Sequence, residues 1–168
     1  MIKFIASGFN SGYLPKAPGT WGSLVGLPIC FLLLPYGLFT LYGATLLCFL
    51  LGWFCSYRLT LDPTSDPDPS YIVIDEIAGI MLTLALSLSF LNLDPKVMLT
   101  LSPLAIKIWV GVFVAFRIFD ICKPFPICII DEYLASTAHW RGFGVMIDDI
   151  LAAIPASILV WGILTFIF

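Results

Sequence analysis

From residue 150 to residue 168 the chain carries nineteen side chains without a charge, and the two residues before them are Asp148 and Asp149. As an α-helix that run covers roughly 28 Å, close to the hydrocarbon thickness of a bilayer at about 30 Å. Comparable apolar stretches occupy residues 22–34, with Pro28 inside, residues 38–57, residues 72–93 and residues 103–121. A chain of 168 residues with 60% hydrophobic and only 11% charged side chains is too apolar for a soluble domain of this size. The expected fold is therefore all-α: a polytopic transmembrane bundle of four to five membrane helices with short interfacial segments. Neither an internal repeat nor a low-complexity linker divides it, so residues 1–168 are expected to form one membrane domain. The opening MIKFIASGFNSGYLPKAPG is mixed and turn-rich, unlike a cleaved secretory signal, and the whole chain is expected to stay in the membrane.

The five cysteines do not suggest a disulfide framework, because their number is odd and Cys30, Cys48 and Cys55 lie in apolar runs. A zinc site is disfavoured by the absence of a C-x-x-C pair and by the single histidine, His139. The net charge of −3 matters less than where the charges sit. If the first two apolar stretches form a hairpin, Lys3, Lys16, Arg58, Arg117, Lys123 and Arg141 share one face, against Lys96 and Lys107. That asymmetry marks the shared face as cytoplasmic. The hairpin depends on residues 22–34, which span only about 20 Å as a helix and would invert the downstream topology if they were re-entrant.

On the same face the acidic residues gather: Asp62, Asp66, Asp68, Asp75, Glu76, Asp120, Asp131, Glu132, Asp148 and Asp149, with only Asp94 opposite. Carboxylates arriving from several helix mouths suit a hard cation such as Mg²⁺, which takes oxygen ligands and keeps waters. A plainer reading exists for Asp75, Glu76, Asp148 and Asp149, because acids at a helix N-terminus are favoured by the macrodipole by about 0.3 to 1 kcal/mol each. Asp120 resists that reading. It is expected at the C-terminal end of its helix, just before Pro124, where the dipole disfavours an anion and either Arg117 or a metal must compensate.

Arg117, Lys123 and Arg141 at headgroup level suit phosphate oxygens. Thr20 is placed either to bind phosphate or to cap the helix that follows it, and glycines 142 and 144 in GFG are read as a turn bringing backbone close to a ligand. The sequence lacks a phosphate-binding G-x-x-x-x-G-K-[ST] loop and a cysteine-phosphatase motif, and one histidine cannot supply a two-histidine lipid phosphatase.

Four stretches, SGYLPKAPGTWGSLVGLP, DPSYIVIDEIAG, FRIFDICKPFPI and RGFGVMIDDILAA, resemble in order and spacing the motifs of the phosphatidylglycerophosphatase A family, from near residue 11 to near residue 153. The resemblance implies a Mg²⁺-dependent, multi-pass phosphatase of the bacterial inner membrane, with its site facing the cytoplasm. Its implied substrate is phosphatidylglycerophosphate, and its products are phosphatidylglycerol and inorganic phosphate. It also implies metal ligands among Asp68, Asp75, Glu76, Asp120, Asp148 and Asp149, with Asp75, Glu76, Asp120 and Asp149 in the chemistry. Thr20, Arg117, Lys123 and Arg141 are the candidate substrate-binding residues. No role is carried onto His139 or Asp131, and no protein or nucleic-acid partner is implied. Two rival readings are a CDP-alcohol phosphotransferase, whose longer aspartate and glycine motif is absent, and a small carrier or channel with carboxylates along an ion path.

Overall fold

The computed structural model describes residues 1–61, 66, 68–100, 102–136 and 140–166. Asp62 and His139 therefore lie outside the described residues. Among these residues there is no strand, and seven α-helices follow one another: α1 (Ile2–Ala6), α2 (Pro18–Leu33), α3 (Leu38–Thr60), α4 (Ile74–Phe90), α5 (Pro103–Cys122), α6 (Ile127–Ser136) and α7 (Arg141–Phe166).

The central post is α4. Twelve of its residues are buried, on every side of the helix, and it packs against α2, α3, α5 and α7. A helix with no exposed face must satisfy its own polar groups. Thr83 donates to the Gly79 carbonyl at 2.8 Å and Ser87 to the Thr83 carbonyl at 2.7 Å, so neither hydroxyl is left orphaned. Glycines let the neighbours close in. A Cβ on Gly26 of α2 would strike Ile80, and one on Gly79 of α4 would strike the Phe116 ring of α5. Gly19, Gly22 and Gly26 thus form a helix-packing stripe along α2.

Apolar side chains also point outward. Leu46, Leu47, Leu50, Leu51 and Phe54 of α3 are all exposed, and Phe39 is 95% exposed. A surface as apolar as the core is stable against lipid and not against water. Three helices are long and apolar enough to cross a membrane: Pro18–Tyr36, Leu38–Thr60 and Arg141–Phe166. The first of these is longer than the stretch at 22–34, because the helix starts four residues earlier and a 3₁₀ turn at Leu34–Tyr36 extends it. Gly37, at φ 91°, then turns the chain into α3. Of the four to five membrane helices expected, three among the described residues have that length and hydropathy. Helix α4 is short, with 17 residues, and α5 carries Lys107, Arg117 and Asp120 within 20 residues.

Contacts fix the helix directions. Gly19 and Gly26 of α2 meet Glu76 and Ile80 in order, so α2 runs parallel to α4. Tyr42 meets Ser89 while Cys48 donates to the Ile74 carbonyl, so α3 runs antiparallel to α4. One end of the bundle therefore gathers the starts of α2, α4 and α7 with the ends of α3 and α5. Short α1 lies there too, since Val73 N–H donates to the Ala6 carbonyl at 2.9 Å. The turns holding Leu34–Tyr36 and Pro95–Leu99 meet at the other end.

Two expectations fail at α7. The helix begins at Arg141, not at residue 150, so Asp148 and Asp149 lie two turns inside it and cannot be first-turn caps. Gly142 and Gly144 are helical and not a ligand-approaching turn, and a Cβ on Gly142 would collide with the Tyr57 backbone of α3. That close approach lets the helix continue past the aspartates. All five cysteines are free thiols, as their spacing suggested.

Candidate active site

A cleft of about 280 Å³ opens at the end of the bundle where α2, α4 and α7 begin. Its walls include Asp68, Asp75, Glu76, Arg117, Asp120, Lys123, Asp148 and Asp149, eight of the ten residues singled out in the sequence. The other two, Thr20 and Arg141, do not line it. Thr20 is not a cap either: the N-cap is Ala17, with Pro18 in the first helical position, and Thr20 N–H donates to the Ala17 carbonyl at 2.9 Å. Arg141 opens α7 two turns before the aspartates, roughly 12 Å along the axis.

The tightest group is Asp75, Glu76 and Asp149, whose carboxylate oxygens come within 4.8 Å of one another. Asp75 and Glu76 stand in the first turn of α4, and Asp75 Oδ1 accepts from the Glu76 N–H at 3.0 Å, so the capping reading holds there in part. It does not exhaust them. Glu76 Oε2, Asp148 Oδ1 and Asp149 Oδ2 are buried and accept no hydrogen bond. Asp75, Glu76 and Asp149 as anions this close repel one another, and the free oxygens of Glu76 and Asp149 are uncompensated unless protons or a cation sit between them. Oxygen-only donors of this density fit a hard divalent ion.

Two cations flank the group. Arg117 pairs with Asp120 one turn later on α5, stands 4.0 Å from Glu76 Oε1 and donates to Ser23 Oγ at 3.5 Å. The pair answers the question posed by an aspartate at a helix C-terminus: its neutralising partner is on its own helix. Lys123 follows α5 in the left-handed conformation at φ 38°, which turns its side chain away from the helix axis. Its ammonium donates to Asp131 Oδ2 at 2.6 Å and Asp148 Oδ2 at 2.5 Å. Burial alone lowers the Lys123 pKa, but Asp148 and Asp131 outweigh it and hold the group above its usual range.

Asp131, Ser23 and Gly19 are the site residues that the sequence did not reveal. Asp131 sits on α6 beyond a Pro-rich turn with a cis Phe125–Pro126 bond, so no helical spacing links it to Lys123. Ser23 reads as an ordinary helix residue, and its hydroxyl also donates to the Gly19 carbonyl at 3.0 Å. Gly19 reads as a turn former, yet it is buried against Glu76 and Arg117.

Fold and site together define a helical protein of the membrane type with a polar cleft at one end of its bundle, lined by clustered carboxylates and two basic side chains. The chain belongs to the phosphatidylglycerophosphatase A family, whose model matches residues 4–164. It is 40% identical over 163 residues to a Phosphatidylglycerophosphatase A of Haemophilus influenzae, covering 96% of this chain and 88% of the relative. The Escherichia coli protein of the same name is 34% identical over 166 residues, covering 97% of this chain and 81% of the relative. A Bacteroides thetaiotaomicron protein provisionally named phosphatidylinositol-3-phosphatase is 31% identical over 161 residues, covering 93% and 89%. No solved structure matches the chain. The protein is thus a phosphatase of phospholipid metabolism, associated with membranes.

Proposed function

We propose that this phosphatase removes the terminal phosphomonoester of phosphatidylglycerophosphate, with Mg²⁺ as its cofactor, at the cytoplasmic face of a bacterial inner membrane. The observation that carries the reading is the convergence of Asp75, Glu76 and Asp149, with orphaned carboxylate oxygens, beside the Arg117 guanidinium. Asp75, Glu76 and Asp149 are the residues that would hold the ion, with Asp148 and Asp68 at its margin. Bound there, Mg²⁺ would polarise a phosphoryl oxygen and make a nearby water more acidic.

The remaining work falls to side chains. Arg117 lies between Asp120 and Glu76, where its planar donors can turn toward phosphoryl oxygens. Asp120 keeps that guanidinium oriented. A free carboxylate oxygen, Glu76 Oε2 or Asp149 Oδ2, takes the proton of the attacking water. The water oxygen bonds to phosphorus as the bond to the glycerol oxygen breaks, and a proton returned to that oxygen completes phosphatidylglycerol and inorganic phosphate. Lys123 is spoken for by Asp131 and Asp148, so its role is to fix Asp148 and dock α6 rather than to bind substrate. The face follows from charge: Lys3, Lys16, Arg58, Arg117, Lys123 and Arg141 belong to the cleft end and Lys96 to the other.

The carrier reading loses ground, because an ion path needs carboxylates through the bundle and these gather at one end. A second phosphatase reading, hydrolysis of a phosphoinositide headgroup, is favoured only by the name of the Bacteroides relative. Phosphate release by the purified protein in detergent, from phosphatidylglycerophosphate and from phosphatidylinositol 3-phosphate, separates the two. The expected result is release from the first, abolished by EDTA and restored by Mg²⁺. Equal turnover in EDTA would remove the metal from the proposal, and preference for the inositol lipid would replace its substrate.

A further inference from the structure

The lipid-facing side of α5 and α7 holds a groove of about 440 Å³ whose lining is almost wholly apolar. Its walls include Ile106, Val110, Val114 and Ile118 on α5, facing Leu159 and Ile163 on α7, with Lys107 lining the end away from the cleft. These α5 positions repeat every four residues and so form one stripe. The stripe runs on by one further turn to Ile121, which lines the acidic cleft and is 70% exposed. Groove and cleft are therefore consecutive stations along one helix face. The apolar hollows beside α3 share no such face with the cleft.

Length argues in the same direction. From Ile118 down to Ile106 the groove measures roughly 18 Å along the helix, and one leaflet of hydrocarbon is about 15 Å deep. A lipid whose phosphate lies in the cleft has its chains directed into that leaflet, along the same helix. The hollow exists because Gly111 leaves room beside Val160. A Cβ at Gly111 would sit 3.7 Å from Val160 Cγ2, an ordinary contact, so a larger side chain there fills the groove without displacing backbone.

We infer that this groove seats one acyl chain of the lipid substrate, and that Gly111 sets how much chain it accepts. The inference rests on the lipid-phosphatase reading above. Because lipid tails are as apolar as the groove, its contribution is close packing and orientation of the substrate, not transfer out of water.

The test pairs kinetics with labelling. Purified wild type, Gly111→Leu and Gly43→Leu are assayed on dipalmitoyl and dihexanoyl phosphatidylglycerophosphate. Gly43 lies on α3 with open space around it and serves as the control. In Gly111→Leu the ratio of kcat/KM for the long-chain over the short-chain substrate should fall by at least about threefold. Gly43→Leu should leave the ratio at its wild-type value. An unchanged ratio in Gly111→Leu, or an equal fall in both variants, overturns the inference. In parallel, a diazirine-bearing diacyl lipid with a terminal phosphomonoester should label Val110 and Val114 more than the matching phosphatidylcholine does. Equal labelling would mean ordinary surrounding lipid and would overturn it. If wild type hydrolyses neither substrate, the enzymatic proposal fails by itself, and the labelling contrast still decides the groove.

Discussion

Gly19 offers a way to move one carboxylate of the proposed site while leaving the fold in place. It is buried in the first turn of α2, and a Cβ there would lie against Glu76 Oε1 far inside 3.0 Å and at 3.0 Å from the Arg117 guanidinium. The colliding atom is the end of a flexible side chain, so Glu76 yields and the backbone does not. In Gly19→Ala the carboxylate must retreat by about 1 Å, a displacement that costs on the order of 10²-fold in rate when it falls on a reacting group. Stability should change little. Overpacking costs about 1 to 3 kcal/mol, while alanine in place of glycine in a helix returns up to about 1 kcal/mol, leaving a Tm shift of no more than about 12 °C. The assay is phosphate release from detergent-solubilised phosphatidylglycerophosphate, with the unfolding midpoint followed by circular dichroism. Combining Gly19→Ala with Glu76→Asp shortens the side chain that is pushed. The second substitution should therefore cost less in the alanine background than alone. Activity of Gly19→Ala within twofold of wild type, or strict additivity in the double variant, would refute the placement of Glu76 at the reaction centre.

Asp75→Asn and Asp149→Asn should each lower kcat by about 10²-fold or more while the protein still elutes as a folded species in gel filtration. Near-normal turnover in both would dissolve the proposed site. Lys123→Met should reduce stability by about 1.5 to 3 kcal/mol, read from chemical unfolding, because it strands the Asp148 and Asp131 carboxylates. With its folded-state pKa raised, Lys123 contributes in full below its unfolded value near 10.4, and the contribution fades only as pH climbs through the folded value. The stability gap between wild type and Lys123→Met should hence not narrow from about pH 7 to 9.5; a gap that closes across that range would contradict the ion pairs. Gly142→Val should destabilise by about 1 to 3 kcal/mol or prevent insertion, since its side chain meets the Tyr57 backbone; a stable, active Gly142→Val would show that α3 and α7 do not approach so closely.

Much of the membrane plan was legible in the chain itself. Runs of apolar side chains with charges mostly between them or near their ends leave helical spans as the economical arrangement, and the grouping of Lys, Arg, Asp and Glu toward alternate ends indicated which ends share a face. The residues of the cleft were named by the same pattern, since Asp75, Glu76, Asp120, Asp148 and Asp149 all stand near apolar boundaries. Sequence could not decide where α7 begins. Gly142 and Gly144 favour a turn locally, yet both are helical, with Gly142 fitted tightly against Tyr57, and this carries Asp148 and Asp149 inside the helix. Nor could it decide pairing. Arg117 with Asp120 follows from a spacing of three on one helix, whereas Lys123 reaches Asp131 and Asp148 across three separate segments, a contact no periodicity encodes. Local chemistry chooses helices and bilayer depth because each residue meets lipid or water by itself. The distances among carboxylates depend on how closely whole helices pack, and that is a property of the assembled bundle.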